Sequence, residues 1–114
     1  MRLLLSALLL LLLPLQAPAL TPAAKEFMDL SAQLEPVQCE KRQLRRKMAL
    51  AQVEQRGADY AKLDARFAAL NRDRDTTRRE RRLGELEKRI RGAADPEDLQ
   101  AISLQQRQAF YRCE

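Results

Sequence analysis

The chain has no histidine and no tryptophan, and only three glycines, five prolines and two cysteines among 114 residues. Without an imidazole the usual general base near neutral pH is missing. A Ser-His-Asp or Cys-His arrangement cannot be assembled. Two cysteines with no histidine fall short of the three or four protein ligands that zinc takes. Three glycines cannot supply a Gly-rich phosphate loop, and their scarcity argues against a β-rich chain. After residue 20 the only serines are Ser31 and Ser103. Carboxylates are plentiful, but Asp73 with Asp75 and Glu97 with Asp98 stand where turns and helix caps are expected. The chain is expected to be no enzyme, with no cofactor and no metal.

The first 20 residues hold 11 leucines. Met1-Arg2 is a short positive start. Leu3 to Leu13 is an apolar run of 11 residues interrupted only by Ser6 and Ala7, and Pro14 ends it. Ala17-Pro18-Ala19 follows with small residues where a signal peptidase reads. This three-part pattern is that of a cleaved secretory signal over residues 1–19. A membrane-spanning helix needs about 20 apolar residues, more than this run provides. The mature chain is expected to be residues 20–114, a single helical domain of 114 − 19 = 95 residues without a transmembrane segment, periplasmic or secreted. Residues 21–114 hold 23 large apolar residues and 14 alanines, enough for one small core.

Export changes what two cysteines mean. In an oxidising compartment an even pair in a small domain is expected to form a disulfide, here Cys39 with Cys113. Closing a loop of about 75 residues is credited with about 4 kcal/mol in the loop-entropy picture, less any strain. The alternatives are an intermolecular bridge and a free or redox thiol, although the Cys-x-x-Cys spacing of redox pairs is absent.

Apolar spacing reads as helix throughout. Thr21-Pro22 resembles a cap followed by proline at the first helical position. Phe27, Leu30 and Leu34 then share one face. Glu35-Pro36 is expected to interrupt that helix or restart it. A second helix should then begin near Pro36, with Val37, Leu44, Met48 and Ala51 on one face. Val53, Tyr60, Leu63, Phe67 and Leu70 lie on another, and Gly57 marks the crossover. Residues 71–75 have no apolar member and read as a connection. Thr77 to Glu80 fits a capping box, Leu83, Leu86 and Ile90 continue a third helix, and Gly92 is a natural stop. Asp95-Pro96-Glu97-Asp98 is the strongest helix start in the chain. Leu99, Ile102, Phe110 and Cys113 share a face of the last helix, so Cys113 should point to the core. The expected fold is all-α: a small antiparallel bundle, or a helical hairpin of coiled-coil character, with three to four helices closed by one disulfide. The hairpin would complete its thin, Ala-rich core by forming a homodimer.

Arginine supplies 16 of the 21 basic residues, against 16 acids. Two clusters stand out. The first is Lys41, Arg42, Arg45, Arg46 and Lys47. The second contains Arg78, Arg79, Arg81 and Arg82. The planar guanidinium fork suits phosphate and carboxylate partners. Export makes nucleic acid an unsuitable partner, and stacking aromatics are too few for one: Phe27, Tyr60, Phe67, Phe110 and Tyr111. These nine basic residues are the candidate anion- or partner-binding positions. The plain alternative is a solvated helix surface.

Two short stretches echo known families. Ile102-Ser103-Leu104-Gln105-Gln106-Arg107 resembles the Leu-Thr-x-x-Gln motif of the Spy and CpxP class of periplasmic chaperones, with Ile for Leu, Ser for Thr and no second copy. That likeness implies a small basic helical protein holding unfolded clients on a cradle-like surface. Tyr111-Arg112 before Cys113 is similar to the exported lysozyme-inhibitor family with paired cysteines, without that family's Trp and with its last Cys closer. That likeness implies an inhibitory partner contact. The expected function is therefore protein–protein contact in the cell envelope, as a chaperone or stress protein, an enzyme inhibitor or immunity protein, or an assembly accessory, the partner being another envelope or secreted protein. The alternative is binding of anionic envelope components such as lipopolysaccharide, phospholipid headgroups or cell wall through the Arg clusters.

Overall fold

A computed structural model describes residues 19–113, so the predicted export signal falls almost wholly outside the described residues. Four helices follow one another: α1 Pro22–Val53, α2 Gly57–Arg72, α3 Arg74–Ala93 and α4 Pro96–Arg112. There is no strand among the described residues. No described helix is long and apolar enough to cross a membrane.

The long helix α1 organises everything else. Thr21 caps it, its hydroxyl accepting from the Ala24 amide at 3.3 Å. Its 32 residues span about 48 Å at 1.5 Å per residue. Phe27, Leu34, Lys41 and Met48 recur every seven residues and are buried, and so are Leu44 and Ala51. With Leu30 and Val37 these positions complete a heptad seam. That seam explains why Pro36 lies inside the helix instead of interrupting it. Proline removes one backbone hydrogen bond and costs about 3 kcal/mol in a helix interior. Here it sits on the exposed side, while the apolar seam runs unbroken past it. The expected restart at Pro36 does not occur, and Cys39 lies within α1 and not at the start of a second helix.

The break comes later, at residues 54–56. Gln55 takes a left-handed conformation, φ 56°, and the Arg56 amide donates back to the Ala51 carbonyl at 2.8 Å. Arg56 ties the turn by pairing with Glu54 at 2.7 Å and Asp59 at 2.8 Å. Gly57, expected as the crossover, is the first residue of α2. Residues 71–75, expected as a connection, reduce to Asp73, which ends α2 and caps α3. Its carboxylate accepts from the Thr76 amide at 2.9 Å, so the predicted cap at Thr77 lies one turn too late. Helix α3 continues past Gly92, and Ala94 occupies the left-handed position at φ 50°. The α4 start is as expected, with Asp95 accepting from the Glu97 and Asp98 amides.

Helices α2 and α3 run in tandem back along α1. As α3 rises from Glu80 to Ile90, its partners on α1 fall from Lys41 to Ala24. Helix α4 turns again and runs parallel to α1. Three contacts fix its register, and each joins residues 77 positions apart: Asp98 with Thr21, Gln105 with the Met28 carbonyl, and Arg112 with Glu35. They are spaced by seven on both helices, the repeat that keeps one helix face turned to another. Asp98, buried to 2% exposure, accepts from the Thr21 amide at 3.1 Å and from its hydroxyl. Beyond the last rung the Cys39–Cys113 disulfide closes the pair, with Cα atoms 5.5 Å apart.

Two regions result. A three-helix body comprises residues 19–39 and 73–113 around a core of Ala24, Phe27, Leu86, Ile90 and Ile102. A two-helix arm, residues 40–72, extends beyond the end of α4 with Leu44, Met48, Ala51 and Leu70 buried.

Candidate partner-binding surface

The fold separates the two Arg clusters by charge state as well as by place. In the second cluster Arg82 forms a forked pair with Glu26, at 2.8 and 2.9 Å, and also reaches Glu85. Arg78 pairs with Asp75 at 3.0 Å. Arg79 and Arg81 are exposed on α3 and make no ion pair among the described residues. The Arg82 hydrogen bond holds the Glu26 carboxyl below its ordinary range. Two of these four arginines are thus paired with carboxylates, and the four do not converge on one site.

The first cluster divides further. Lys41 is 6% exposed and pairs with Glu80 at 2.8 Å. It occupies a seam position of α1, where a single buried polar residue fixes register in coiled coils. Lys47 lies on the opposite flank, beside Leu50, Lys62 and Leu63. Arg42, Arg45 and Arg46 do converge. With Phe110 and Cys113 they line a depression of about 320 Å³ at the end of α4. The Arg42 guanidinium lies 5.3 Å from the centre of the Phe110 ring, and that of Arg45 lies 5.4 Å from the centre of the Phe67 ring. Neither they nor Arg46 form an ion pair among the described residues. Cation–π contacts of this kind hold a guanidinium in place without neutralising it.

Phe110 was expected on the core face of α4 and is 61% exposed, with Tyr111 at 73% and Leu99 at 41%. The core takes only Ile102 from α4, and beyond it α3 and α4 flank a groove of about 540 Å³. That groove is floored by Phe27, Ser31 and Gln38 of α1 and reaches Lys41 and Glu80 at its polar end. Gln105 lines it, donating to the Met28 carbonyl at 2.8 Å. Val53, expected with the second apolar face, is 81% exposed at the end of α1.

The pairing of Phe110 with Arg42 is a site the sequence could have indicated. Each residue is three positions, about one helical turn, from a bridged cysteine. Arg112 and Cys113, by contrast, serve structure: Arg112 forks onto Glu35 at 2.8 and 2.9 Å and holds that carboxyl below its ordinary range. Among the described residues no cluster of His, Cys, Asp and Glu could hold a metal ion.

No protein-family model matches the chain, and no curated protein or solved structure matches it. The two short family likenesses stay confined to the residues that carry them. Within residues 102–107, Ile102 is core and Gln105 is a rung between α4 and α1.

Proposed function

We propose that the chain is an exported, non-enzymatic helical protein that works by protein–protein contact in the cell envelope, in a chaperone, inhibitory or assembly role. The observation that supports this reading is the exposed aromatic and arginine surface where α4 ends and the arm begins. Phe110 and Tyr111 pack edge to face 5.9 Å apart, next to Arg42 and the disulfide. Large aromatic and arginine side chains held together on a rigid surface are the residue types that carry binding energy in protein interfaces. A photo-reactive residue at Ala49, on the same side of the arm, gives protein-sized adducts in cells that export the chain. The same group at Gln100, exposed in the body, does not.

A second reading is favoured by one observation: Arg42, Arg45 and Arg46 bring three cationic groups to one depression without a carboxylate. Anionic envelope components would satisfy them. In that case the adducts at Ala49 are lipid or polysaccharide, and binding weakens steeply with salt, because exposed charges are screened over about 8 Å at physiological ionic strength.

A further inference from the structure

The α4 register continues past the point where α4 stops. Adding seven to the α1 residues that α4 covers carries Glu35 to Arg42 and Ala49, and Cys39 to Arg46 and Val53. It carries Ala24, through Ser31 and Gln38, to Arg45 and Gln52. Arg45, Arg46, Ala49, Gln52 and Val53 are exposed, and Arg42 is half-buried. The helix-binding face of α1 therefore extends along the arm past the end of α4, with Phe110 against Arg42 at its near end and Phe67 of α2 against Arg45 at its border. Its far border is α2, where the Phe67 ring lies under Arg45 and Tyr60, one heptad away, lines a depression with Ala51 and Gln52. From Cys39 to Gln52 the track measures about 20 Å, the length of a helix of roughly 13 residues.

We infer that this track is a docking site for an acidic amphipathic helix of a partner protein, lying end to end with α4 and parallel to α1. The inference deepens the protein-contact reading and rests on it. Charge selects the occupant. The arm carries nine bases against four acids: Lys41, Arg42, Arg45, Arg46, Lys47, Arg56, Lys62, Arg66 and Arg72 against Glu40, Glu54, Asp59 and Asp64. Every helix among the described residues is itself neutral or positive. By formal charge α1 is 6 − 4 = +2, α2 is 3 − 2 = +1, α3 is 8 − 4 = +4 and α4 is 2 − 2 = 0. A second copy would add positive charge to a positive track, so the chain is a poor partner for itself. The existing rungs show what the face accepts. Where α1 offers Glu35, α4 supplies Arg112. At the next rung α1 offers Arg42, and its complement is a carboxylate. An anionic polymer would use the arginines alone, whereas an amphipathic helix would also cover Ala49, Val53 and the rings of Phe67 and Phe110 beside them.

The test uses the mature chain with its disulfide intact and three synthetic probes. These are a 14-residue helical peptide with leucines at i, i+3, i+7 and i+10 flanked by glutamates, its scrambled isomer of the same composition, and vesicles of anionic phospholipid. The amphipathic peptide should bind saturably, one per chain, and at least tenfold more tightly than the scrambled isomer. Arg45→Glu and Ala49→Glu should each weaken it tenfold or more. Both positions are exposed, and unchanged helical circular dichroism shows that the variants fold. Equal binding of the scrambled isomer, equal binding by both variants, or preference for vesicles over peptide would overturn the inference. So would a dimer in sedimentation that the peptide fails to dissociate. Protein adducts at Ala49 in cells without peptide binding would refute the acidic helix and leave the contact reading standing. Absence of protein adducts would refute the contact reading itself.

Discussion

The body and the arm share one helix and differ in how they balance charge. The body has 11 bases and 11 acids among residues 19–39 and 73–113, a net of zero. The arm has nine bases and four acids, a net of +5. In the body, opposite charges meet across helices, as in Arg82 with Glu26 and Arg112 with Glu35. In the arm, Arg66 with Glu40 does the same on one side, while the side in line with α4 keeps its arginines unpaired. Burial follows the same division. The body encloses its core with three helices, and the arm buries one seam between two. The lesson is that a run of arginines in sequence says little until the carboxylates that fold against it are known.

The comparison breaks most readily at the two cores. Leu86→Ala removes a side chain with no exposed surface and is expected to cost about 3–4 kcal/mol, with Met48→Ala in the arm costing about 2 kcal/mol. Urea denaturation of both variants checks this, and equal losses would show that the arm is packed as well as the body. Replacing Cys39 and Cys113 together with Ser should cost about 2–4 kcal/mol. Amide exchange then resolves where the loss falls: the last turns of α4 and the adjoining residues of α1 should open first, and a uniform loss would mean that body and arm unfold as one unit.

Acid sharpens the contrast between paired and unpaired charge. Hydrogen bonds from Arg82, Arg112 and Arg66 hold Glu26, Glu35 and Glu40 below their ordinary range, and the Thr76 backbone amide does the same for Asp73. A carboxylate whose folded pKa is depressed contributes stability above its unfolded pKa and loses it as pH falls through the folded value. With no histidine in the chain, thermal stability should be flat between about pH 5.5 and 8 and fall below about pH 4.5. A marked slope inside the neutral window would contradict this.

The smallest effects concern helix ends. Ala94 holds a left-handed φ of 50° that glycine adopts without steric cost. Gly92, two residues earlier, is helical, and a Cβ there would meet nothing within 4 Å. Ala94→Gly and Gly92→Ala should each raise stability by up to about 1 kcal/mol, measured by thermal melting. A loss on Gly92→Ala would mean that the end of α3 depends on more than these backbone preferences.

Much of the architecture was legible because it depends on local spacing and capping. The all-α class with three to four helices and the caps at Thr21 and Asp95 come from residue types at short range. The Cys39–Cys113 bridge, which joins residues 74 apart, comes instead from the count of cysteines in a chain read as exported. Continuity through Pro36 was not legible, because a seam of 25 residues outweighs a local breaker and only the whole helix shows it. The helix break falls at Gln55, two residues before Gly57, because glycine marks where a turn is cheap and packing decides where it falls. For the surface, the first Arg cluster was identified but its internal division was not. Lys41 turns into the seam, Lys47 to the far flank, and Arg42, Arg45 and Arg46 to the track. Spacing alone does not say which face a second helix will cover. The exposure of Phe110 was hidden because periodicity reports that a face is apolar, and not whether a neighbouring helix reaches that far.

The seven-residue spacing of the rungs between α1 and α4 also bears on how the protein can change length. Removing or adding seven residues in α1 between two rungs, with a matching change in α4 and α3, preserves which faces meet. A change of two or five residues rotates every later rung away from its partner. Length variants of this architecture should therefore differ in whole heptads within the body. The stretch of the arm beyond Arg46, past the contacts of Lys41 with Glu80 and of Arg42 with Phe110, faces α2 and is free to lengthen or shorten by the same unit, setting how far the track projects.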